Sequence, residues 1–407
     1  MLKNKIIVKK HTPLINLWST DLINRSMYMT GKFVLPFFAS NLGANSILIG
    51  TISSISAITG MILKPIIGVI GDMTNKTKLL LFACMIFAFT PILYLFISEP
   101  YHLISLRLFH GLATAIFGPI TLAVIASIYL EKRATYLGLF GTARSMGYVL
   151  GPVIGGSLLI FLESKYIFLI TGLISFISFI PMLFLLLNKS NLQNPNQQSF
   201  VKFKINLFQN LRTDITKLIL TPQLWIVILI EWCFYSVFYA MKIFIPLYLV
   251  NSGYNTFFAG SFITVIELIH ILTRPAGGII GDKTGYYPSI IIGLLILGLS
   301  MFFVSLSFDK TILIIPALLI GISQALVLPS SMALAANTVH KDKISTTMGL
   351  IGSFRNGGKI FGPIVIGYLI NIYNYKFTFT IIGLSTVLIM IVISVYSSFN
   401  NLKNKQK

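Results

Sequence analysis

The stretch Lys-Pro-Ile-Ile-Gly-Val-Ile-Gly-Asp at residues 64–72 has a second copy, Arg-Pro-Ala-Gly-Gly-Ile-Ile-Gly-Asp, at residues 274–282. The spacing of 210 residues also relates acidic to acidic and basic to basic positions: Asp21 to Glu231 and Lys32 to Lys242. Near the end of each half the spacing is 211 residues. Two copies of one unit in an apolar chain predict two helical bundles with a path between them. In membrane carriers such a repeat places the substrate near mid-membrane, so the repeat indicates transport.

Composition predicts an all-α membrane protein. Hydrophobic residues make up 55% and charged residues 10% of the 407 residues, whereas soluble proteins carry about a quarter charged residues. Apolar stretches long enough to cross ~30 Å of hydrocarbon recur between short polar turns. We predict twelve membrane helices, over 14–39, 45–70, 78–98, 101–129, 135–161, 165–187, 222–249, 256–280, 288–307, 311–337, 345–370 and 376–399.

These helices divide into two six-helix bundles related by a pseudo-two-fold axis, over 1–187 and 222–407, with a cytoplasmic linker over 188–221. In the linker, apolar residues recur at helical spacing with basic residues between them. That pattern predicts a basic amphipathic helix on the inner membrane surface. An ordinary loop that ties the two halves together is the alternative. The apolar positions are Phe200, Phe203, Leu207, Leu211, Ile215 and Leu218.

The net charge of +20 is explained by membrane topology rather than by nucleic-acid binding. Lysine and arginine concentrate in the loops on one side, and Lys165, Lys310 and Lys376 are the basic residues in the predicted loops of the other. The positive-inside rule then places both termini in the cytoplasm. Because the basic start leads into a full-length span, we expect the first helix to be retained. We expect a multi-pass protein of the bacterial inner membrane.

Cys84 and Cys233 lie within predicted helices, and neither has the histidine or cysteine neighbours of a metal site. Both are interpreted as packing residues. We expect no metal, no cofactor, no nucleic-acid partner and a monomeric protein.

Asp72 and Asp282 follow glycines at the ends of the two copies quoted above. Glycines allow two helices to approach closely, and a carboxylate there can pair with a cation or a helix N-terminus. Because the element occurs twice, a gating contact is favoured over a simple helix end. The stretch resembles the signature loop of the Major Facilitator Superfamily, a glycine followed by Asp-Arg and Gly-Arg-Lys. It departs from that loop at Met73, at Asn75, and at Tyr286 with Tyr287.

Two further motifs strengthen the resemblance. Arg107 with Gly111 is similar to the family's Arg-x-x-x-Gly motif, in which the arginine is linked to proton coupling. A second motif resembles the Gly-x-x-x-Gly-Pro-x-x-Gly-Gly pattern of the drug/proton antiporters. Its residues, for which we predict a gating role, are Gly147, Gly151, Pro152, Gly155 and Gly156. The resemblance covers essentially the whole chain and implies alternating access driven by an electrochemical gradient.

Charged residues inside the predicted helices are the remaining signal, because such groups normally face a partner or water. By resemblance, their helices belong to the set that lines the substrate cavity. We assign proton coupling to Asp21, Glu231, Glu267, His270 and Arg107, and the substrate cavity to Arg25, Lys32, Arg144, Lys242, Arg355 and Lys359. Acidic groups in apolar surroundings can exchange protons near neutral pH, and histidine can relay them. The alternative is architectural pairing, of Asp21 with Arg25 or of Glu267 with His270.

The sequence therefore predicts a proton-coupled exporter of small amphipathic molecules or drugs, and not an enzyme. Because basic residues outnumber acidic ones in the assigned cavity, an endogenous anionic or zwitterionic metabolite, such as a peptide-like compound or metal chelator, is the alternative substrate. Import is left open, although the motif at 147–156 favours export. A non-transporting membrane sensor would need an added signalling domain, and a channel would need a continuous polar pore.

Overall fold

The structure is a computed structural model that describes residues 2–129, 133–187, 222–306, 309–337 and 344–405. All regular secondary structure within those ranges is helical, as predicted. The predicted linker and surface helix over 188–221 lie outside the described residues.

The first half contains seven α-helices in its described part, with a short 3₁₀ turn (Leu93–Phe96) after the third. They are α1 (Leu2–Asn41), α2 (Ser46–Met73), α3 (Lys76–Ile92), α4 (His102–Ile128), α5 (Arg133–Phe161), α6 (Ser164–Ile177) and α7 (Phe179–Leu187). The second half contributes α8 (Pro222–Asn251), α9 (Thr256–Thr284), α10 (Tyr286–Leu306), α11 (Lys310–Asn337), α12 (Ile344–Ile372) and α13 (Tyr375–Lys405).

The predicted helix over 165–187 is two helices, because the α-helical pattern is interrupted at Ser178. There the backbone N–H of Ser178 donates to the carbonyl of Ser175 at 3.0 Å, which is the tighter i−3 bonding of a 3₁₀ turn. Together α6 and α7 still form one candidate membrane span, Ser164–Leu187. The segment therefore remains a candidate for one membrane crossing, as predicted, whereas the prediction of one continuous helix was wrong.

Ten segments of the described chain are long and apolar enough to cross a membrane. The long helices α1 and α12 fall outside that set. These two helices carry Asp21, Arg25 and Arg355, and charged groups lower the mean hydropathy of a span. Both helices outside the set therefore hold predicted functional residues, while others, such as Glu231 and Glu267, lie on helices within it.

The repeat is visible in the turns that follow the first helix of each half. Gly43 and Gly253, 210 residues apart, both have positive φ, at 84° and 92°. Glycine occupies this left-handed region without steric penalty and is the usual residue just past a helix end. Two residues later, the side chains of Asn45 and Asn255 accept the backbone N–H of Leu48 and Phe258, respectively. The same turn therefore starts α2 and α9.

The chain forms two compact units. The first comprises Met1–Ala44, Thr51–Lys202 and Gly253–Ser261, and the second comprises Asn45–Gly50, Phe203–Ser252 and Phe262–Lys407. The start of α9 thus belongs to the first unit and the start of α2 to the second.

Close helix packing within the units also follows the repeat. A Cβ atom on Gly111 of α4 would collide with Thr59 of α2, and one on Gly321 of α11 would collide with Ile269 of α9. Each residue of the first contact lies 210 positions before its counterpart in the second. Glycine at these positions lets two backbones approach. The duplicated sequence therefore builds a duplicated helix interface.

Candidate functional site

Three charged residues of the first unit form an ion cluster around a buried carboxylate, which we call the first ion cluster: Asp21, Arg25 and Arg144. The Asp21 side chain on α1 is 1% exposed. Its Oδ1 lies 3.6 Å from Nη2 of Arg25, one turn later, and its Oδ2 lies 3.5 Å from Nε of Arg144 on α5. One carboxylate is therefore shared by two guanidinium groups.

Glycines on α5 explain how Arg144 comes within reach of α1. A Cβ atom on Gly147 would collide with the Arg25 side chain, and one on Gly151 would collide with Met29. A Cβ on Gly155 would stand 3.0 Å from the ring of Phe33. The predicted glycine motif thus forms one continuous packing face against α1.

The end of the same motif contacts the start of α9 within the first unit. Thr256 donates a hydrogen bond from Oγ1 to the carbonyl of Gly156 at 2.8 Å. A Cβ on Gly260 would collide with the carbonyl of Pro152. Gating by this motif stays a prediction, since the contacts describe close packing.

The second ion cluster joins three helices of the second unit through Glu231, Ser331 and Arg355. Oε2 of Glu231 on α8 lies 2.8 Å from Nε of Arg355 on α12, and Ser331 of α11 donates its hydroxyl to Oε1. The Glu231 side chain is 1% exposed. Nη2 of Arg355 also approaches Sδ of Met332 at 2.8 Å. Both carboxylate oxygens of Glu231 therefore have a partner.

The two clusters are copies of one arrangement. Asp21 and Glu231 are related by the 210-residue spacing, and Arg144 and Arg355 by the 211-residue spacing. The sequence assigned the acids to proton coupling and the arginines to substrate, whereas the structure joins them as ion pairs. The clusters differ at the position of Arg25, whose equivalent is Tyr235, with its ring 5.0 Å from Cζ of Arg355.

A third acidic residue, Glu267 on α9, forms an ion pair with Lys242 on α8. The spacing-based alternative was a pairing of Glu267 with His270. His270 is 8% exposed, and neither of its ring nitrogens has a hydrogen-bond partner in the described part of the chain. The position in the first half equivalent to Glu267 is Ala57. This pair is therefore an addition to the duplicated framework.

Aromatic rings on α8 lie beside the basic residues of the second unit. Nζ of Lys359 lies 4.8 Å from the ring centroid of Tyr235 and 5.1 Å from that of Tyr239. Nζ of Lys242 lies 4.2 Å from the ring centroid of Phe238. Cations are attracted to the faces of aromatic rings at such distances. The sequence analysis missed both tyrosines, although their positions four and eight residues after Glu231 place them on its helix face.

Arg107 lies apart from the two ion clusters, although it was predicted to act in proton coupling. Its side chain is 1% exposed, and its Nη2 donates to Oγ of Ser56 at 2.6 Å. Its Cζ lies 5.7 Å from the ring centroid of Tyr28, which Arg25 approaches at 6.0 Å. Within the described ranges no carboxylate forms an ion pair with Arg107.

The remaining predicted residues occupy less central positions. Lys32 is half-buried on α1. Asp72 lies in α2, and its side chain is outside the described part of the structure. Asp282 is exposed and accepts a hydrogen bond from the hydroxyl of Tyr286 at 3.3 Å. A tyrosine thus supplies its partner, where the family loop has basic residues.

Cys84 and Cys233 are free thiols. Among the described residues no group of three His, Cys, Asp or Glu side chains is arranged to hold a metal ion.

The sequence profile of the Major Facilitator Superfamily matches residues 18–358 and 268–406. The chain is 24% identical over 380 residues to the "Multi-drug resistance efflux pump PmrA homolog" of Lactococcus lactis, covering 91% of each chain. It is 22% identical over 387 residues to the "Staphylopine export protein" of Staphylococcus aureus, covering 93% of this chain and 94% of that one.

A solved structure of the nucleoside transporter NupG superposes with a TM-score of 0.82 at 14% identity, covering 94% of this chain and 99% of that one. At this identity the likeness establishes the fold alone.

Proposed function

The chain belongs to the Major Facilitator Superfamily and is a membrane transporter rather than an enzyme, and we propose that it is a proton-coupled exporter of small amphipathic molecules that works by alternating access. Two lines support export. Relatives similar over more than nine-tenths of the chain are named as an efflux pump and an export protein. The glycine–proline motif on α5, similar to that of drug/proton antiporters, forms the packing face against α1.

The observation that carries proton coupling is the pairing of all three acidic residues in the interior of the described membrane helices: Asp21, Glu231 and Glu267. A proton and a basic side chain compete for the same carboxylate. Protonation removes the negative charge, so the basic partner loses its attraction and becomes available to other anionic groups or to water. Proton binding and rearrangement of the helices that carry the partners are thereby linked.

The three pairs suggest two different roles. The pairs of Asp21 with Arg144 and of Glu231 with Arg355 are duplicated, and arginine makes a planar, geometrically defined contact with a carboxylate. These pairs are suited to holding the first and fifth membrane helices of each half together. The Glu267–Lys242 pair is unique to the second half, and lysine is a point charge on a flexible stem. We assign the exchanged proton first to Glu267.

The alternative substrate class is an anionic or zwitterionic metabolite. Two guanidinium groups share the single carboxylate of Asp21, which leaves an excess of positive charge in the first ion cluster. In a low-dielectric interior such an excess favours anions. The relative named for staphylopine export suits this alternative, whereas the relative named for multidrug efflux suits broad amphipathic substrates.

We further propose that the protein lies in a bacterial inner membrane, that both termini are in the cytoplasm, and that it functions as a monomer. The basic loops that suggest this topology face the negatively charged inner membrane surface.

The direct test is substrate accumulation in inside-out vesicles from an efflux-deficient bacterial host that produces the protein. Lipophilic cations, neutral amphiphiles and carboxylate-bearing amphiphiles are offered with and without an acidic lumen. The proposal predicts that at least one class of compound accumulates in the vesicles only when the lumen is acidic. Vesicles without the protein should show no such accumulation. Accumulation that is independent of the proton gradient, or that occurs only down the substrate's own gradient, would contradict it.

A further inference from the structure

The first unit also contains a second cluster of buried polar residues, none of which belongs to the ion clusters described above. We call it the arginine–aromatic cluster: Tyr28, Ser56, Tyr94, Arg107 and His110. Arg107 and His110 lie three residues apart on one face of α4, while the others come from α1, α2 and the 3₁₀ turn after α3. The His110 ring centroid lies 5.3 Å from that of Tyr28 and 6.2 Å from that of Tyr94. All five side chains are nine-tenths or more buried.

The positive charge of Arg107 needs a compensating partner because the side chain is buried. A guanidinium group stays protonated in proteins, so it cannot avoid burial by losing its proton. Isolating an ion in a low-dielectric interior is very costly unless it is paired. Among the residues that the structure describes, Ser56 accepts a hydrogen bond from Arg107, and Arg107 has no carboxylate partner. The ring of Tyr28 offers the charge only the weaker attraction of a π-system.

Three side chains of the cluster also have unused hydrogen-bonding groups. Nε of Arg107 and both ring nitrogens of His110 have no hydrogen-bond partner within the described ranges, and the hydroxyl of Tyr94 lies beside the guanidinium group of Arg107 without a well-aligned hydrogen bond. Buried polar groups are nearly always satisfied, and exceptions indicate strain, a functional role or a bound water or ion. The arginine N–H groups can only donate, whereas the tyrosine hydroxyl and a neutral imidazole can each donate one hydrogen bond and also accept. A ligand that satisfies Arg107 must accept hydrogen bonds, and the same ligand can accept one from Tyr94 and one from His110.

The duplicated fold shows that its architecture does not require these polar groups. The residues 210 positions later are all apolar and all buried. Tyr28, Ser56, Tyr94, Arg107 and His110 correspond to Phe238, Ile266, Val304, Ala317 and Ile320. The second half therefore packs the same interior position without a charge. A polar cluster that the fold can replace with an apolar core points to a function.

From these observations we propose that Arg107, Tyr94 and His110 bind a small monovalent inorganic anion, with chloride as the occupant under physiological conditions. The aromatic surroundings restrict the site to a small ligand, since Tyr94 is itself stacked on Phe168 with ring centroids 4.0 Å apart. The anion compensates the charge of Arg107 and accepts the unused donors. It also screens Arg107 from Arg25, because their Cζ atoms lie 5.7 Å and 6.0 Å, respectively, from the ring centroid of Tyr28. The ligand is thus a structural ion of the first half, distinct from the transported substrate.

The test is equilibrium binding of radioactive chloride to the purified full-length protein in detergent, with gluconate keeping the ionic strength constant. The proposal predicts saturable binding of one chloride per chain, together with a chloride-dependent rise in melting temperature of several degrees. Arg107→Gln should abolish both effects. Tyr94→Phe removes one hydroxyl donor, so chloride affinity should fall about tenfold. Lys165→Gln, which removes an exposed lysine paired with Glu163, should bind like the unmodified protein.

Three results would overturn the proposal. The first is no saturable chloride binding and equal melting temperatures in chloride and gluconate, which would mean that water alone satisfies the cluster. The second is chloride binding that Tyr94→Phe and Arg107→Gln leave unchanged. The third is binding that Lys165→Gln abolishes. If Arg107→Gln fails to fold, Tyr94→Phe decides the question, because it retains the ring and removes only the hydroxyl.

Discussion

Of the three paired acidic residues in the membrane helices, Glu267 is the one without an acidic counterpart in the other half. It pairs with Lys242 on the neighbouring helix, while the equivalent position in the first half is Ala57. His270, one turn later on the same helix, is buried with both ring nitrogens unpartnered in the described structure. A carboxylate and an imidazole that the first half lacks therefore lie beside Lys242, whose counterpart in the first half is Lys32. This combination is suited to taking up and releasing a proton.

Replacing Glu267 with glutamine should separate substrate binding from energy coupling. Glu267→Gln retains a similar shape but cannot exchange a proton, so uphill export should fall at least about tenfold, the effect of ~1.4 kcal/mol, while substrate still binds. Glu163→Gln is the matched control because Glu163 pairs with Lys165 at the surface. The measurement is substrate accumulation in inside-out vesicles, with binding followed in detergent. Full gradient-driven export by Glu267→Gln would remove this carboxylate from the mechanism.

The two duplicated ion pairs should respond unequally to loss of their arginine. Arg355→Gln leaves Ser331 as the one polar partner of Glu231 among the described residues, and an unpaired buried charge typically costs about 3–5 kcal/mol. Arg144→Gln leaves Asp21 with Arg25 at 3.6 Å. Melting temperatures in detergent should therefore fall further for Arg355→Gln than for Arg144→Gln.

The double variant Glu231→Gln with Arg355→Gln is the control for that comparison. It removes both charges, so it should recover part of the stability that Arg355→Gln loses. Equal losses in the two single arginine variants, or no recovery in the double variant, would show that the carboxylates are not held mainly by these arginines.

At the scale of elements, the contact between α1 and α5 depends on residues without side chains. A Cβ on Gly151 would collide with Met29, whereas a Cβ on Gly141 of the same helix would have nothing within 4 Å. Gly151→Ala should therefore force the helices apart and destabilise the protein, by about 1–3 kcal/mol as for other overpacked sites. Gly141→Ala should be neutral or slightly stabilising, because alanine is the better helix former.

Thermal unfolding of Gly151→Ala beside Gly141→Ala provides the measurement, with transport recorded in parallel. If the two variants unfold at the same temperature, the glycine motif does not set the distance between α1 and α5. The pairing of Asp21 with Arg144 would then need another explanation.

Element-level predictions from the sequence succeeded where local chemistry determines structure. Apolar length predicts the membrane helices, and the gap between the predicted helices over 14–39 and 45–70 contains the turn at Gly43. The break at Ser178 was missed because a serine in an apolar run is not a strong helix breaker, and the interruption is a single tight hydrogen bond. The contribution of Ser331 was missed for a related reason. A hydroxyl in a membrane helix usually bonds to its own backbone, and its approach to Glu231 is a tertiary contact.

At the scale of the whole molecule, the repeat explains which features could be predicted from the sequence and which could not. An offset of 210 or 211 residues identifies Arg144 with Arg355 and Asp21 with Glu231 as equivalent positions. Equivalence alone gives no distance between Asp21 and Arg144, which lie more than 120 positions apart. Consequently the sequence analysis assigned the acids and the arginines to separate roles. Their pairing follows from the glycine face that brings α1 and α5 together.

Departures from the repeat are as informative as the matches. The arginine–aromatic cluster occurs only in the first half, and the Glu267–Lys242 pair only in the second. A duplicated scaffold can thus carry different ionisable groups in its two halves. We assign the two departures to separate tasks: anion binding in the first half and proton exchange in the second.

The central claim is that export is coupled to counter-movement of protons, and substrate-induced proton flux tests it most directly. Purified protein is reconstituted into proteoliposomes with an acidic lumen and a lumenal pH-sensitive dye. A substrate identified in the vesicle screen is then added outside. The account predicts that substrate entry through the inside-out population raises lumenal pH faster than leakage does, and that Glu267→Gln abolishes this rise while still binding substrate. Substrate accumulation without any change in proton flux would contradict the account.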